Sequence, residues 1–265
     1  MSLVVAASLI VLVAVGEPSA QPSTSPNTPT PTQAARGMRE VFPGVRVDVA
    51  DKLVEFDGTV PIDAHRVTDK GEKLVVFLET IVCTRDSKEH ESLVVTSVKA
   101  SQVHAALLLI GLKPGAPGKW ERKEGEGKKT LVGVPPRGDD VRVTVAEQRG
   151  DGTIGPETNV LEWVVDHRDG RGFRVIEPDA SLVFAGSAMV RPRGRMIDPE
   201  NAERPEVYAG DTEGTVVGLT SFGTETIGVT AMYNPDAATQ EPQWIAAPSV
   251  PKVDTRVVVR VRPKT

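Results

Sequence analysis

Cysteine occurs once in this 265-residue chain, at Cys83. No disulfide can close within the chain, and it can hold neither a four-cysteine zinc site nor an iron–sulfur cluster. Aromatic residues make up only 4% of the sequence, which argues against single-strand nucleic-acid binding by base stacking. Neither sign of charge dominates: 31 Lys and Arg stand against 36 Asp and Glu, a net charge of −5. Nucleic acid is therefore not the expected partner, because phosphate binding needs a concentrated basic surface. The Gly-x-Ser-x-Gly elbow and the His-Glu-x-x-His motif are both missing, so no motif assigns an enzymatic activity.

Long hydrophobic runs are also scarce. The longest, "LVVAASLIVLVAV" at residues 3–15, would be ~20 Å long as a helix, short of a ~30 Å hydrocarbon core. It fits the apolar region of a secretory signal, with small-residue cleavage sites at "AVG" and "PSA" before residue 21. The next segment, residues 18–32, is Pro, Ser or Thr at twelve of fifteen positions. Nothing in it can be buried to offset chain entropy. The expected organisation is a signal segment at 1–20, a disordered spacer at 21–37 and one folded domain at 38–265. The protein is expected to be exported, to the periplasm, the cell surface or the medium, with no integral membrane span in the mature chain.

From residue 45 the chain shifts to short apolar runs. "VRVDV" (45–49), "VRVTV" (141–145) and "RVVVRVR" (256–262) alternate with a period of two, which buries one face and wets the other. The last predicts Val257, Val259 and Val261 in the core, and Arg260 as a solvent-facing residue that tolerates charge reversal. "LVVFLETIV" (74–82) reads as a central strand, and "LEWVV" (161–165) and "TVVGLTSF" (215–222) as further strands. Asp57-Gly58, Asp151-Gly152 and Asp169-Gly170 read as turns. One helix is predicted near 102–112, capped by Ser101 and ended by Gly111. The fold class is thus α+β and β-dominated: mostly antiparallel, sandwich-like sheets with one buried helix. A division at "WERKEGEGKK" (120–129) is the alternative to a single domain.

The chemistry-bearing residues concentrate in "CTRDSKEHES" (83–92). Glu79 is a carboxylate in an otherwise apolar run, so it needs a partner or a proton; Arg85, Lys88, His90 and His104 are the candidates. His104 is expected near the start of the helix, where the dipole favours neutral imidazole. Cys83, His90 and His104, with Glu79, Glu89 or Glu91, could converge on one zinc or copper ion or form a thiolate–imidazole pair. The alternative is that Cys83 and His104 are buried structural residues. Arg191, Arg193 and Arg195 alternate at period two and could bind an anionic partner, or could simply form a solvated edge. "GEGKKT" (125–130) lacks the first glycine of a phosphate loop, where Arg122 stands.

Several segments together resemble the YdjY-like domain of exported bacterial proteins. They are "VEFDGTV" (54–60), "CTRDSKEHESLVV" (83–95), "VHAALLLIGLKPG" (103–115), "LVFAGS" (182–187) and "GDTEGTVVGLTSF" (210–222). The resemblance spans most of residues 45–265. It implies export but no defined activity, and it directs attention to Cys83, Lys88, Glu89, His90, Glu91 and His104. Some relatives carry iron–sulfur or ferredoxin-like designations, which a single cysteine does not support. The expected function is a non-enzymatic binding module at the cell envelope, its partner a protein or polymer. The alternative is a metal-binding or thiol-redox protein centred on Cys83, His90 and His104.

Overall fold

In the computed structural model, residues 37–264 are described except 68, 72–74, 126–127, 192–204, 235–240 and 242. Valine-rich alternation builds the main sheet. Its ten strands in line, numbered along the chain, are β1 (Arg39–Phe42), β2 (Val45–Asp48), β3 (Leu53–Thr59), β4 (Thr80–Thr84), β5 (Ser92–Thr96), β6 (Asp140–Glu147), β7 (Leu182–Phe184), β8 (Thr215–Gly218), β9 (Ile227–Val229) and β10 (Arg256–Pro263). The spatial order is β1-β2-β3-β10-β6-β7-β9-β8-β4-β5, and β5 returns to pair with β3 at Thr59↔Val95. Eight strands, β3 through β5, therefore close into a barrel rather than the expected sandwich. Pairing is antiparallel except for β4–β5 and β8–β9. The short strand Thr158–Asn159 pairs along β6.

The barrel interior is the core. Val54 and Phe56 of β3, Val141, Val143 and Val145 of β6, and Val257, Val259 and Val261 of β10 are buried, as alternation requires. At about 25 cal/mol per Å² of apolar area, each such valine contributes on the order of 1.5–2 kcal/mol. Val258 is buried too, covered on the opposite face of β10.

Closure explains one misread signal. Asp57-Gly58 is not a turn; it lies within β3, opposite Val258 and Val257 of β10. β3 uses one edge twice, for β2 along Leu53–Phe56 and for β5 at Thr59. A Cβ at Gly58 would meet Val94 Cγ1 at 2.5 Å and the Val95 carbonyl oxygen at 3.1 Å. Glycine is needed here for close approach, not for a turn. Asp151-Gly152 and Asp169-Gly170 do turn, with φ of +83° and +73° at the glycines.

Other elements shift for physical reasons. The strand expected at 74–82 begins only at Thr80, because the chain before it leaves the barrel to bridge Ile245 through Phe77. Residues 160–163 form a 3₁₀ turn, and only Val164–Asp166 extends, pairing with Trp244–Ala246. The charged stretch at 120–129 does not divide the domain. Its described residues lie in a strand pair, Lys119–Gly125 against Lys128–Val134, and the described residues from 37 onward fall in one compact unit. The short helices α2 (Phe173–Ile176) and α3 (Ala209–Glu213) accompany the main helix α1 (Ala100–Leu109).

Helix α1 starts earlier than expected and is less buried. Ala100, Val103, Ala106 and Leu107 face the barrel, whereas Leu108 and Leu109 are about half exposed, at 47% and 52%. Ser101 is not the N-cap. Lys99 occupies that position, with its N–H bonded to Gln102 Oε1, while the Ser101 N–H and hydroxyl both donate to Asp211 of α3. At the other end the Gly111 N–H bonds the Leu108 carbonyl and the Leu112 N–H bonds that of Leu107, a Schellman ending with Gly111 at φ +87°.

Replacing Gly58 by Ala is expected to destabilise the fold by about 1–3 kcal/mol through overpacking at the closure. Adding Val94→Ala should recover part of the loss. Urea denaturation of both variants measures this, and an unchanged midpoint for Gly58→Ala would refute close approach at the seam.

Candidate functional site

The stretch from Cys83 to Ser92 proves to be a tight crossover. Parallel strands usually need a connection of about a dozen residues or more, yet β4 and β5 are joined by residues 85–91 alone, including a 3₁₀ turn at Glu89–Glu91. The loop holds this course by bonding its own backbone. Glu89 accepts the N–H groups of Asp86 (2.5 Å) and Ser87 (3.0 Å), Ser87 Oγ donates to the Thr84 carbonyl, and Ser92 Oγ donates to that of Lys88. Asp86 sits at φ +59°, a left-handed position that Asp tolerates. Burial works against ionisation of Glu89, but the N–H donors outweigh it and hold its carboxyl below the usual range.

The residues singled out around Cys83 and His104 thus have defined places. Cys83 is fully buried under this loop, beside the hydroxyls of Ser92 and Ser87 and the Lys88 N–H; burial pushes its thiol pKa up, away from the reactive thiolate. His90 points into solvent, 79% exposed, 3.6 Å from Glu91 Oε2. His104 is half-buried in a different setting. Its Nδ1 lies 3.1 Å from the Gly186 carbonyl and 3.0 Å from Tyr208 Oη, and its ring meets Phe184 and Tyr208 edge-on. Burial lowers its pKa, against the opposing hydrogen bond to the Gly186 carbonyl. Glu79 is half-buried beside Glu91, with Lys88 Nζ at 4.0 Å. The expected convergence of Cys83, His90 and His104 is not found: among the described residues no three His, Cys, Asp or Glu side chains gather in a metal-holding arrangement. Arg191 is exposed and 3.7 Å from Glu206. Arg193 and Arg195 lie outside the described residues.

A different constellation forms at the barrel end where β3 begins and β10 finishes. A hollow of about 590 Å³ is lined by Lys52, Arg142, Arg174, Arg262 and Lys264, with Asp51 as its one acid. Val141, Val143, Leu182 and Pro263 supply apolar wall. The volume falls in the range of small-molecule sites, roughly 300–1,000 Å³. Arg142 and Arg262 stand directly opposite each other on β6 and β10, a like-charge cross-strand pair that is unfavourable by itself. Arg262 is partly neutralised by Glu157 (2.8 and 3.0 Å), Arg174 donates to the Ala180 carbonyl, and Lys264 Nζ bonds Ser181 Oγ. Lys52 and Arg142 form no ion pair among the described residues and are exposed. Sequence reasoning missed this site because its five cations come from four separate places in the chain; only the closing "VRVRPK" hinted at a basic edge.

Beside the hollow, charges alternate and cancel. Arg46 bonds Glu55 and Asp57, Arg260 bonds Glu55 and Glu157, and Arg262 returns to Glu157, which also accepts from Thr144. Burial alone would raise the Glu157 pKa. Hydrogen bonds from Arg262, Thr144 and Arg260 overcome it and hold the carboxyl at about 2.

A mixed eight-stranded barrel with a basic hollow at one end defines the class of protein. The YdjY domain model matches residues 45–262, and the chain belongs to that family. No curated protein and no solved structure matches the chain.

Because Glu157 is depressed in the fold, its contribution is present above its unfolded pKa of about 4.3 and lost as the pH falls toward 2. Stability should decline over that window by about 1–2 kcal/mol from this group, and Glu157→Gln should flatten the decline in acid-titrated urea melts. Arg260 is no bystander, contrary to the alternation reading. Arg260→Glu would set three carboxylates side by side and is expected to cost about 2–3 kcal/mol.

Proposed function

We propose that this is an exported domain that acts by binding, and that its ligand is an anion lodged in the basic hollow. The apolar run at 3–15 and the Pro/Ser/Thr-rich segment after it support export. The observation that carries the binding reading is the opposed pair Arg142 and Arg262, with Lys52, Arg174 and Lys264 around the same hollow. Folding sets like charges together there without a matching number of acids, and an oxyanion would relieve the repulsion. Guanidinium groups suit phosphate and carboxylate because their planar fork offers paired N–H donors. The apolar wall gives such a ligand a place for a non-polar body.

Titration calorimetry with inorganic phosphate, short-chain polyphosphate and citrate tests this on the folded protein. Binding of at least one probe is expected, weakening with salt. Arg142→Thr is expected to weaken it about tenfold or more while leaving ligand-free stability unchanged or raised by a few tenths of a kcal/mol, since a like-charge pair is removed. No heat with any probe, or equal affinity in the variant, would overturn the reading. Export is checked separately: N-terminal sequencing of protein recovered outside the cytoplasm should begin near residue 21, and a chain retained in the cytoplasm would refute it.

A further inference from the structure

The basic hollow has neighbours that a dissolved anion does not account for. Lys52, Arg142, Arg174 and Lys264 in its lining are exposed, and two exposed valines stand beside lining residues along the chain. Val49 precedes Ala50 in the turn that joins β2 to β3 and is 44% exposed. Val175 follows Arg174 in α2 and is 66% exposed, the highest value among the large hydrophobic residues described. A lone exposed valine needs no explanation. Two of them, each one residue from the lining of the same cationic hollow, point to a common use.

We propose that this end of the barrel docks on an anionic phospholipid surface, its four exposed cations taking headgroup phosphates while Val49 and Val175 enter the headgroup layer. The proposal rests on the anion reading of the hollow and names the source of the anion. Charge complementarity favours a lipid plane over a single dissolved ion. Cations drawn from the β2–β3 turn, β6, α2 and the segment after β10 can each meet a different phosphate there. The long stems of Lys and Arg lie along an apolar boundary while their heads stay with the phosphates. Asp51 is the one acid of the lining; Asp140, two residues before Arg142 on β6, lies outside it. Because the whole chain carries a net charge of −5, the rest of its surface is repelled by anionic lipid, and this end is the one turned toward it. The valines add what a phosphate in water cannot reward, apolar area removed from water.

Sedimentation of the full-length protein with vesicles of phosphatidylcholine alone, and of phosphatidylcholine mixed with phosphatidylglycerol, tests this. The apolar run at 3–15 can partition into either kind, so the quantity read is the difference between them. Binding to the anionic vesicles is expected to be about tenfold tighter or more and to weaken as salt is added. Arg142→Thr should weaken it about fivefold, the effect of one cation at an anionic surface. Val49→Asn and Val175→Asn change exposed side chains and leave the core intact; each should weaken it about threefold without altering affinity for inorganic phosphate in solution. Hydrogen exchange on anionic vesicles should slow in peptides covering 49–52 and 173–176, and not in the strand pair at 119–134. A protein that binds inorganic phosphate but shows no preference for anionic vesicles would overturn docking and leave the anion site standing. Neither phosphate binding nor such a preference would overturn both. A preference undiminished in all three variants would put the contact elsewhere and overturn the assignment.

Discussion

The barrel depends on two backbones approaching at Gly58. β3 carries β2 on the first half of one edge and must receive β5 on the last residue of the same edge, so β5 has only Thr59 to pair with. That single pairing is reinforced by the Thr96 hydroxyl, which donates to the Asp57 carbonyl (2.7 Å). A side chain at position 58 would occupy the space of Val94 and press on the Val95 carbonyl. An open sheet would leave the Phe56 and Val259 faces without a partner wall. Closure lets one set of apolar side chains from the barrel strands form a common interior.

Closure with two parallel pairs imposes a second constraint. Both are joined by connections shorter than parallel strands normally need, so the loops run back across the barrel end with backbone amides that no strand can pair. The chain meets this twice in the same way, with a carboxylate folded into the loop. Glu89 takes the amides of Asp86 and Ser87, and the buried Glu225 takes those of Gly118, Gly223 and Thr224. A buried carboxylate without a cation is costly unless such donors surround it, and burial raises the Glu225 pKa even so. The acids and hydroxyls of the Cys83–Ser92 stretch are therefore accounted for as a self-bonded connection, with Cys83 as its packed floor.

Charge is distributed unevenly over the outside. Across β2, β3 and β10, with Glu157 beside them just before the strand Thr158–Asn159, Arg46, Glu55, Asp57, Arg260 and Glu157 alternate in sign and neutralise one another. The alternation stops at the barrel end, where Arg142 faces Arg262 and Lys52 and Lys264 join them. The same strands thus carry a balanced ladder along their length and an unbalanced cationic hollow at their tip, which is why the net charge of −5 conceals a basic site.

The sequence by itself determined what depends on neighbours along the chain. Period-two alternation placed Val257, Val259 and Val261, and likewise Val141, Val143 and Val145, in the core correctly, because the two faces of a strand are set by its own pleat. Gly111, Gly152 and Gly170 ended a helix or turned the chain at positive φ, a local backbone demand. Family membership was legible for the same reason, in short segments such as those around Cys83 and Leu182. What only the tertiary structure decided is what depends on which strands become neighbours. Asp57-Gly58 has the composition of a turn, and only the arrival of Val94 and Val95 makes it a seam. Glu79 reads as an isolated acid until Glu91 folds back on it. His90 and His104 are near in sequence, yet one points to solvent and the other to Gly186 and Tyr208. The basic hollow collects residues from a turn, two strands, a short helix and the C-terminal segment, and no local pattern encodes such a meeting, because strand order is chosen by the burial of the whole barrel rather than by any one strand.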